Sequence, residues 1–397
     1  MPDYVTSTEE LKSKVIQFRR DLHRIPELDS DLPKTTAYLM DYLSKLPCEI
    51  TKIGKASFTA FFDAGFDSAI AFRTDMDALP IEEVPAHEFC SIHKGNMHAC
   101  GHDGHMSIML GFASEVSKLL DSDKDEIPEN KKIKKNVLLV FQAAEETTGG
   151  ALEICESGLF EKHNTEKIFG LHIWPGFPRN TVICRKGPFM AGTKVLWLDV
   201  KGKSSHIAKP DEGIDALDVG TRLVQRIYKM NREEFPENVS RILKFGEFKS
   251  GTGVNILSSR TKIGGTSRFY DHDILKKMLE RIDEISKSLE DEYGCEIDFS
   301  HSRGYPPVIN PDELVDELEA TVLGMSSSQE EDIPTFLPLN KPLMTAEDFA
   351  DYQQRLPGLF FFLGTGKDLA LHNGNYDIDE EVLPIGVKIF EALLLNS

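Results

Sequence analysis

A run of eight residues, His98–His105, combines three histidines, a cysteine and an aspartate with two glycines. Transition metals such as zinc and manganese bind imidazole, thiolate and carboxylate groups. The glycines let the backbone bend sharply, so that two or three of these side chains can face one point. Each residue alone has an ordinary explanation, since single histidines are usually hydrogen-bonded or exposed and single cysteines usually fill a core. Their combination predicts a metal site.

A pair of adjacent carboxylates, Glu145 and Glu146, follows the strand-like run 137–141. Because successive side chains of an extended chain diverge, one carboxylate can bind a metal while its neighbour faces a substrate. That arrangement suits metal-assisted hydrolysis, in which an uncoordinated glutamate removes the proton of the attacking water. The alternative is a pair of exposed acids in a loop.

Three strand-like segments end on side chains that could bind or support a metal. The run 69–72 leads to Asp75 and Asp77, the run 137–141 leads to the two glutamates, and the run 168–171 leads to His172. In open α/β sheets, ligands bind beyond the carboxyl ends of the strands, so these side chains are expected at one edge. Polar residues also follow strands simply because loops are solvated.

The number of candidate ligands predicts more than one ion. Cys100, His102, Glu146 and His172 are too many donors for one catalytic ion that keeps an open position for water. Two ions about 3.5 to 4 Å apart would accommodate them. His372 is a further candidate, or an ordinary loop histidine. Zinc, manganese, cobalt and nickel all suit this donor set.

The elements that must position these residues alternate between amphipathic helices and short apolar runs, which is typical of an α/β fold. We expect a central mixed sheet flanked by helices. At 397 residues, two domains are expected. We assign 1–187 and 304–397 to a catalytic metal-binding domain. An inserted α+β unit spans 188–303.

Charge and composition exclude several classes of protein. The chain carries 45 Lys and Arg against 65 Asp and Glu, a formal net charge of -20, which argues against nucleic-acid and membrane partners. Residues 1–10 show no basic stretch followed by an apolar core, so we expect no secretory signal. The six cysteines lack paired spacing. We therefore expect a protein of the reducing cytoplasm.

The ordered motifs resemble those of the co-catalytic metallo-amidohydrolases, a family that includes aminoacylases, hippurate hydrolases, indole-acetyl-amino-acid hydrolases, N-acetyldiaminopimelate deacetylases and related carboxypeptidases. The resemblance runs from about His23 to Phe390. Its motifs are His23–Leu28, Arg73–Pro80, Met97–His105, Gln142–Glu146, Gly170–Pro175, Gly202–His206, Asn255, Gly265–Arg268 and Glu347–Phe349.

The resemblance implies that five side chains hold two divalent metal ions and that Glu145 is the general base. The implied metal ligands are Cys100, His102, Glu146, His172 and His372. Asp77 would orient a ligand from outside the coordination shell.

The resemblance also implies that the inserted unit is a lid that forms a homodimer. His206 would stabilise the oxyanion, commonly across the dimer, and Asn255 and Arg268 would hold the carboxylate end of the substrate. The plain alternatives are a surface-turn histidine, an asparagine that caps a turn and a solvated arginine on a strand. Four further residues near these motifs are left without a role: Asp103, His105, Glu347 and Asp348.

Three positions depart from the family pattern. Thr147–Thr148 interrupts the usual glycine run, Asn373–Gly374 follows the C-terminal histidine, and Phe269 follows Arg268 where a threonine is common. None of these changes removes an implied ligand. They affect the acyl pocket and the pose of His372.

The predicted function is therefore a metal-dependent hydrolase of linear amide bonds, which cleaves N-acyl, and particularly N-acetyl, amino acids to a carboxylate and a free amino acid. Its partner would be that small-molecule substrate. The closest alternative is a dipeptidase or carboxypeptidase that uses the same binuclear site. A non-catalytic binding protein would be expected to lack Glu145 or His206, and both are present.

Overall fold

The computed structural model of the protein describes residues 8–121, 128, 132–325 and 333–397. Of the segment 1–10, in which we expect no secretory signal, residues 1–7 lie outside this range. The helices, in chain order, are α1 (Thr8–His23), α2 (Pro33–Leu43), α3 (His102–Asp121), α4 (Ala151–Glu156), α5 (Leu159–Lys162), α6 (Ala216–Glu233), α7 (His272–Tyr293), α8 (Asp312–Met325) and α9 (Leu383–Leu395). Short 3₁₀ helices are Pro210–Glu212, Asp348–Gln354 and Glu380–Val382.

The strands, in chain order, are β1 (Glu49–Ile53), β2 (Ser57–Phe62), β3 (Ala69–Asp75), β4 (Asn136–Gln142), β5 (Thr165–Trp174), β6 (Thr181–Cys184), β7 (Gly187–Met190), β8 (Gly192–Lys201), β9 (Ile242–Ser250), β10 (Arg260–Phe269), β11 (Glu296–His301), β12 (Val308–Asn310), β13 (Thr335–Pro338) and β14 (Gly358–Gly364). They form an eight-stranded, a four-stranded and a two-stranded sheet.

The chain divides into two compact units. The first comprises Met1–Phe189, Ile309–Lys341 and Asp348–Ser397, and the second comprises Met190–Val308 with Pro342–Glu347. The return segment Pro342–Glu347 was not expected in the second unit. It belongs there because the backbone N–H of Ala191 donates hydrogen bonds to carbonyls of this segment.

The first unit is built on an eight-stranded mixed sheet in the order β1-β2-β4-β3-β5-β14-β6-β13. Strand β3 pairs in parallel with both β4 and β5, and β14 pairs in parallel with β5. Strands β3, β4 and β14 are buried along their whole length, as expected for strands covered on both faces. The predicted α/β class with a central mixed sheet is confirmed.

Helix α3 lies in the core of the first unit, where every residue from His102 to Ser117 is buried. Its two glycines allow close packing. A Cβ atom on Gly104 would lie 2.5 Å from Ile173 of β5, and one on Gly111 would lie 2.6 Å from Val15 of α1. The helix is therefore fixed against the sheet at the end that carries the His/Cys cluster.

The second unit is a four-stranded antiparallel sheet, ordered β11-β8-β10-β9, with the long helices α6 and α7. Each helix is capped by an aspartate that precedes it: Asp215 accepts hydrogen bonds from two backbone N–H groups of α6, and Asp271 does the same for α7. The buried stripe of α7 includes Met278, Ile282 and Leu289, as its sequence period predicts.

Two observations concern the surroundings of the protein. None of the helices in the described parts of the chain has the length and apolar character of a membrane span. All six cysteines are free thiols.

Candidate metal centre

The carboxyl ends of β3, β4 and β5 meet at one edge of the large sheet, because the three strands are neighbours and run in parallel. Asp77 follows β3, Glu145 and Glu146 follow β4, and His172 lies near the end of β5. Helix α3 begins at this edge. The chain therefore delivers the predicted donors from several segments that are distant in sequence.

The turn after β4 sets the direction in which the chain carries Glu145 and Glu146. Ala144 adopts φ = +60°, a left-handed conformation that is uncommon for residues other than glycine. Its N–H donates to the carbonyl of Asp29 over 3.2 Å, and its own carbonyl accepts from the N–H of Gly149 over 2.9 Å. The backbone bends at this point, and Glu145 and Glu146 leave the strand direction.

Asp77 fixes both glutamates through their main chain. One carboxylate oxygen accepts the N–H of Glu145 over 3.1 Å, and the other accepts the N–H of Glu146 over 3.1 Å. The backbone carbonyl of Asp77 accepts a hydrogen bond from Nδ1 of His102 over 2.7 Å. The residue predicted to orient a ligand thus contacts three of the predicted site residues.

A first group of donors consists of Cys100, His102 and His172, whose ligand atoms lie within 4.8 Å of one another. All three side chains are buried. Sγ of Cys100 is 3.4 Å from Nε2 of His172. Nδ1 of His172 donates to the carbonyl of Ile173 over 2.7 Å, which leaves Nε2 as the nitrogen with a free electron pair.

A second group consists of Cys100, Glu146 and His372. Nε2 of His372 is 3.2 Å from Oε1 of Glu146, and that oxygen is 3.8 Å from Nε2 of His102. His372 has φ = +58°, and its N–H donates to the carbonyl of Ala99 over 2.9 Å. Its side chain is 51% exposed, in contrast to the buried members of the first group.

The candidate base lies beside both groups. Ligand atoms of Glu145, Glu146 and His102 also fall within 4.8 Å of one another, and the Glu145 side chain is buried. The structure therefore brings six predicted side chains, together with Asp77, into one cluster.

The spacing of these atoms fits divalent ions. Tetrahedral sites with bonds of about 2.0 to 2.3 Å place neighbouring ligand atoms roughly 3.3 to 3.8 Å apart. The three contacts measured here are 3.4, 3.2 and 3.8 Å. In addition, Nε2 of His102 is buried without a hydrogen-bond partner, although its Nδ1 is held. An uncommitted nitrogen among carboxylates and a thiol is what a metal ligand requires.

The electrostatics of the cluster also favour a cation. Burial raises the pKa of the Cys100 thiol, and the carboxylates of Glu146 and Glu145 raise it further. Against the effect of its burial, Asp75 and Asp77 raise the pKa of His102 to about 10. The contributions of the carboxylates to both shifts reflect a negative potential, which a bound divalent cation would neutralise.

A buried polar network behind the cluster was not predicted. Arg73 donates to Asp75 over 2.9 Å and to Asp348 over 3.0 Å. Asp75 contacts Nδ1 of His105 over 2.7 Å, and Nε2 of His105 accepts the N–H of Ile173 over 2.8 Å. The network thus links β3 to the residue next to His172. The sequence signal for this network was the presence of Arg73 and Asp75 within the apolar strand β3.

The three remaining predicted residues lie in the second unit. His206 and Asn255 are exposed, and their turns are joined by a hydrogen bond from the N–H of Ile207 to the carbonyl of Asn255 over 3.1 Å. Arg268 is half-buried on β10 and donates to the hydroxyl of Thr193 over 2.5 Å. Their assigned roles stay predictions.

Residues 71–396 match the family model described as peptidase family M20/M25/M40. An N-acetyldiaminopimelate deacetylase from Brevibacillus brevis is 33% identical over 377 residues, which cover 94% of this chain and 95% of that protein. A protein of the same name from Ligilactobacillus salivarius is 31% identical over 389 residues and covers 97% of each.

Solved structures give the same relationship. A Bacillus subtilis protein described as a dinuclear metal-binding peptidase of the M20 family is 26% identical, with a TM-score of 0.83 over 98% of each chain. A protein from methicillin-resistant Staphylococcus aureus has a TM-score of 0.89 and 26% identity, over 98% of this chain and 97% of that one. The predicted resemblance is confirmed: the chain belongs to peptidase family M20/M25/M40 and is an amidohydrolase.

Proposed function

We propose that this amidohydrolase removes the acyl group, in particular an acetyl group, from N-acyl amino acids. The observation that carries the proposal is the adjacency of a ligand and a base: Glu146 faces His372, while Glu145 lies in the same cluster. The names of the relatives support the choice of an N-acetylated amino acid.

Two divalent ions are proposed to bind the cluster. Cys100, His102 and His172 would hold one ion, and Glu146, His372 and Cys100 would hold the other. Bound ions supply a positive charge that polarises an amide carbonyl and lowers the pKa of water. Zinc, manganese, cobalt and nickel remain the candidates, since the ligands include both borderline and hard donors.

Glu145 is proposed to accept the proton of the attacking water and to deliver it to the leaving nitrogen. Its backbone N–H is held by Asp77, so the carboxylate is positioned by a fixed main chain and not by a mobile loop. His206 would donate to the developing oxyanion, and Asn255 and Arg268 would bind the carboxylate of the amino acid. The second unit would form a homodimer and act as a lid.

We further propose a cytoplasmic location, because six free thiols are typical of a reducing compartment. The partner is a small-molecule substrate.

A substrate panel tests the proposed activity. The purified protein, loaded in turn with each of the four metals, is assayed with N-acetyl amino acids, including N-acetyldiaminopimelate, and with free dipeptides. We expect release of acetate that stops on chelation and returns with the metal. A preference for free dipeptides would support the dipeptidase alternative, since such an enzyme must accommodate an ammonium group. Absence of amide hydrolysis with every metal would refute the proposal.

A further inference from the structure

A second group of metal-type side chains lies in the first unit, on residues outside the ligand set described above. We call it the His23 cluster, and it consists of His23, Glu83, His87 and Cys90. Ligand atoms of the first three lie within 4.8 Å of one another. His23 ends α1, and the other three residues belong to the segment 80–96.

The distances within the His23 cluster match those of a metal site. Oε1 of Glu83 is 3.2 Å from Nε2 of His23 and 3.7 Å from Nε2 of His87. Ligand atoms around a tetrahedral zinc ion are separated by roughly 3.3 to 3.8 Å. The spacing is therefore the same as in the centre described above.

Two of the donors are oriented by partners outside the cluster. Nδ1 of His23 contacts the carboxylate of Asp103 over 2.7 Å, an arrangement that orients many metal-binding histidines. The second oxygen of Glu83 accepts the N–H of Ser91 over 2.6 Å. One oxygen of Glu83 and Nε2 of His23 are thereby directed toward the same point.

A thiol lies beside these three donors. Sγ of Cys90 is 3.6 Å from Nδ1 of His87 and donates to the carbonyl of His87 over 2.9 Å. Two imidazoles, one carboxylate and one thiolate are ligands that zinc accepts together. Softer or harder ions would use only part of this set.

The nearby positive charge is already neutralised. The guanidinium of Arg19 donates to Asp103, Asp377 and Glu380 over 2.9 to 3.1 Å. Because Asp103 is already paired with Arg19, the carboxylate of Glu83 is the negative charge beside His23 that a cation can balance.

The segment that carries three of the donors is irregular. Residues 80–96 contain turns and bends but no helix or strand. Irregular segments longer than about 12 to 15 residues are uncommon in compact domains and usually functional. This one leads directly into the His98–His105 run.

We propose that the His23 cluster binds a third divalent cation, zinc by its donor set, which fastens the segment 80–96 to the end of α1. The ion is held by His23, Glu83 and His87, and the Cys90 thiol would turn away from the carbonyl of His87 to become the fourth ligand. It is separate from the two ions proposed for hydrolysis, and the inference does not depend on the identity of the substrate.

Metal analysis of the full-length protein tests this inference. After zinc loading and removal of excess metal, we expect about three zinc ions per chain in the wild type and about two in His87→Ala and in Glu83→Gln. His93→Ala is the matched control, because His93 lies in the same segment but does not belong to the cluster. Its Nδ1 donates a hydrogen bond to the carbonyl of Pro26 over 2.8 Å. This variant should keep about three ions.

Proteolysis provides a second readout that does not need activity. Zinc should slow cleavage within 80–96 in the wild type and in His93→Ala but not in His87→Ala. If the wild type binds only two ions, or if His87→Ala keeps the same zinc content as the wild type, the proposal is wrong. His23 would then be a protonated side chain that bridges Asp103 and Glu83 directly.

Discussion

The candidate metal centre and the candidate substrate-binding residues of the second unit are held in opposite ways. Around Glu145, Glu146, His102 and His172, buried hydrogen bonds fix the main chain or one ring nitrogen. His206 is exposed, and its Nδ1 accepts only a local hydrogen bond, from the N–H of Ala208 over 3.1 Å. The first unit therefore holds its candidate ligands and base in fixed positions, whereas His206 is held only by its own turn.

The largest effect is expected at the base. Glu145→Gln should lower kcat about 10³-fold, because the amide cannot accept the proton of water. The bound metal should be unchanged, since Asp77 holds the main-chain N–H of residue 145 whatever its side chain. Steady-state kinetics and metal analysis check this, with the exposed Glu153→Gln as the control. Wild-type turnover by Glu145→Gln would remove the proposed base.

The next largest effect is expected at His206, the candidate oxyanion donor of the second unit. His206→Ala should lower kcat about 10²-fold or more through loss of an oxyanion donor, again with full metal content. If His206 acts across a homodimer, mixing Glu145→Gln and His206→Ala chains and allowing subunits to exchange should restore about a quarter of the wild-type rate. A mixture as inactive as its components, in spite of demonstrated exchange, would place His206 in the site of its own chain.

Asp77→Asn tests whether the carboxylate of Asp77 holds the two glutamates of the candidate metal centre in position. Its amide nitrogen cannot accept a hydrogen bond, so the N–H of Glu145 or Glu146 loses its acceptor. We expect a loss of about 10- to 100-fold in metal affinity or activity. Metal titration followed by thermal unfolding measures it, with the exposed Asp63→Asn as the reference. Unchanged metal affinity and activity would show that Asp77 is dispensable for the glutamates.

The smallest expected effect concerns the turn before α3. Gly101 has φ = +83°, and a Cβ there would lie 2.9 Å from the hydroxyl of Tyr376. Gly101→Ala should lower the free energy of unfolding by about 1 to 3 kcal/mol. Gly158→Ala is a matched control, since Gly158 has φ = +75° with no atom within 4 Å. The difference in Tm between the two variants isolates the contact with Tyr376. Equal losses would mean that backbone conformation alone matters.

The position of the candidate site at one edge of the large sheet could be predicted from the sequence, because it follows from the order and direction of the strands. Apolar runs that end on Asp77, Glu146 and His172 become parallel neighbouring strands, and parallel strands must bring their carboxyl ends together. The start of α3 could not be predicted from the helical period. The helical period is visible from Ile108, but the helix begins at His102, since its first turn is packed on all sides and shows no amphipathic pattern.

Contacts between distant side chains could not be predicted. Asp77 was expected to orient a ligand, yet only the coordinates show that its two oxygens accept two successive amides. The His23 cluster joins a histidine to a glutamate 60 positions away in sequence, without the short spacing that makes a metal motif visible. The bounds of the inserted unit shifted for a similar reason, because Pro342–Glu347 joins it through backbone hydrogen bonds.

The exposure of His372 has a consequence for how the enzyme could be prepared. Donors that are shielded from solvent release a metal slowly, whereas a donor whose ring is half open to water can be displaced by a competing chelator. If two ions bind as proposed, we expect the ion beside His372 to exchange first and the ion beside His102 and His172 to remain. Brief chelation followed by a different metal should therefore yield a mixed-metal enzyme, with the two positions occupied by different elements in a known order.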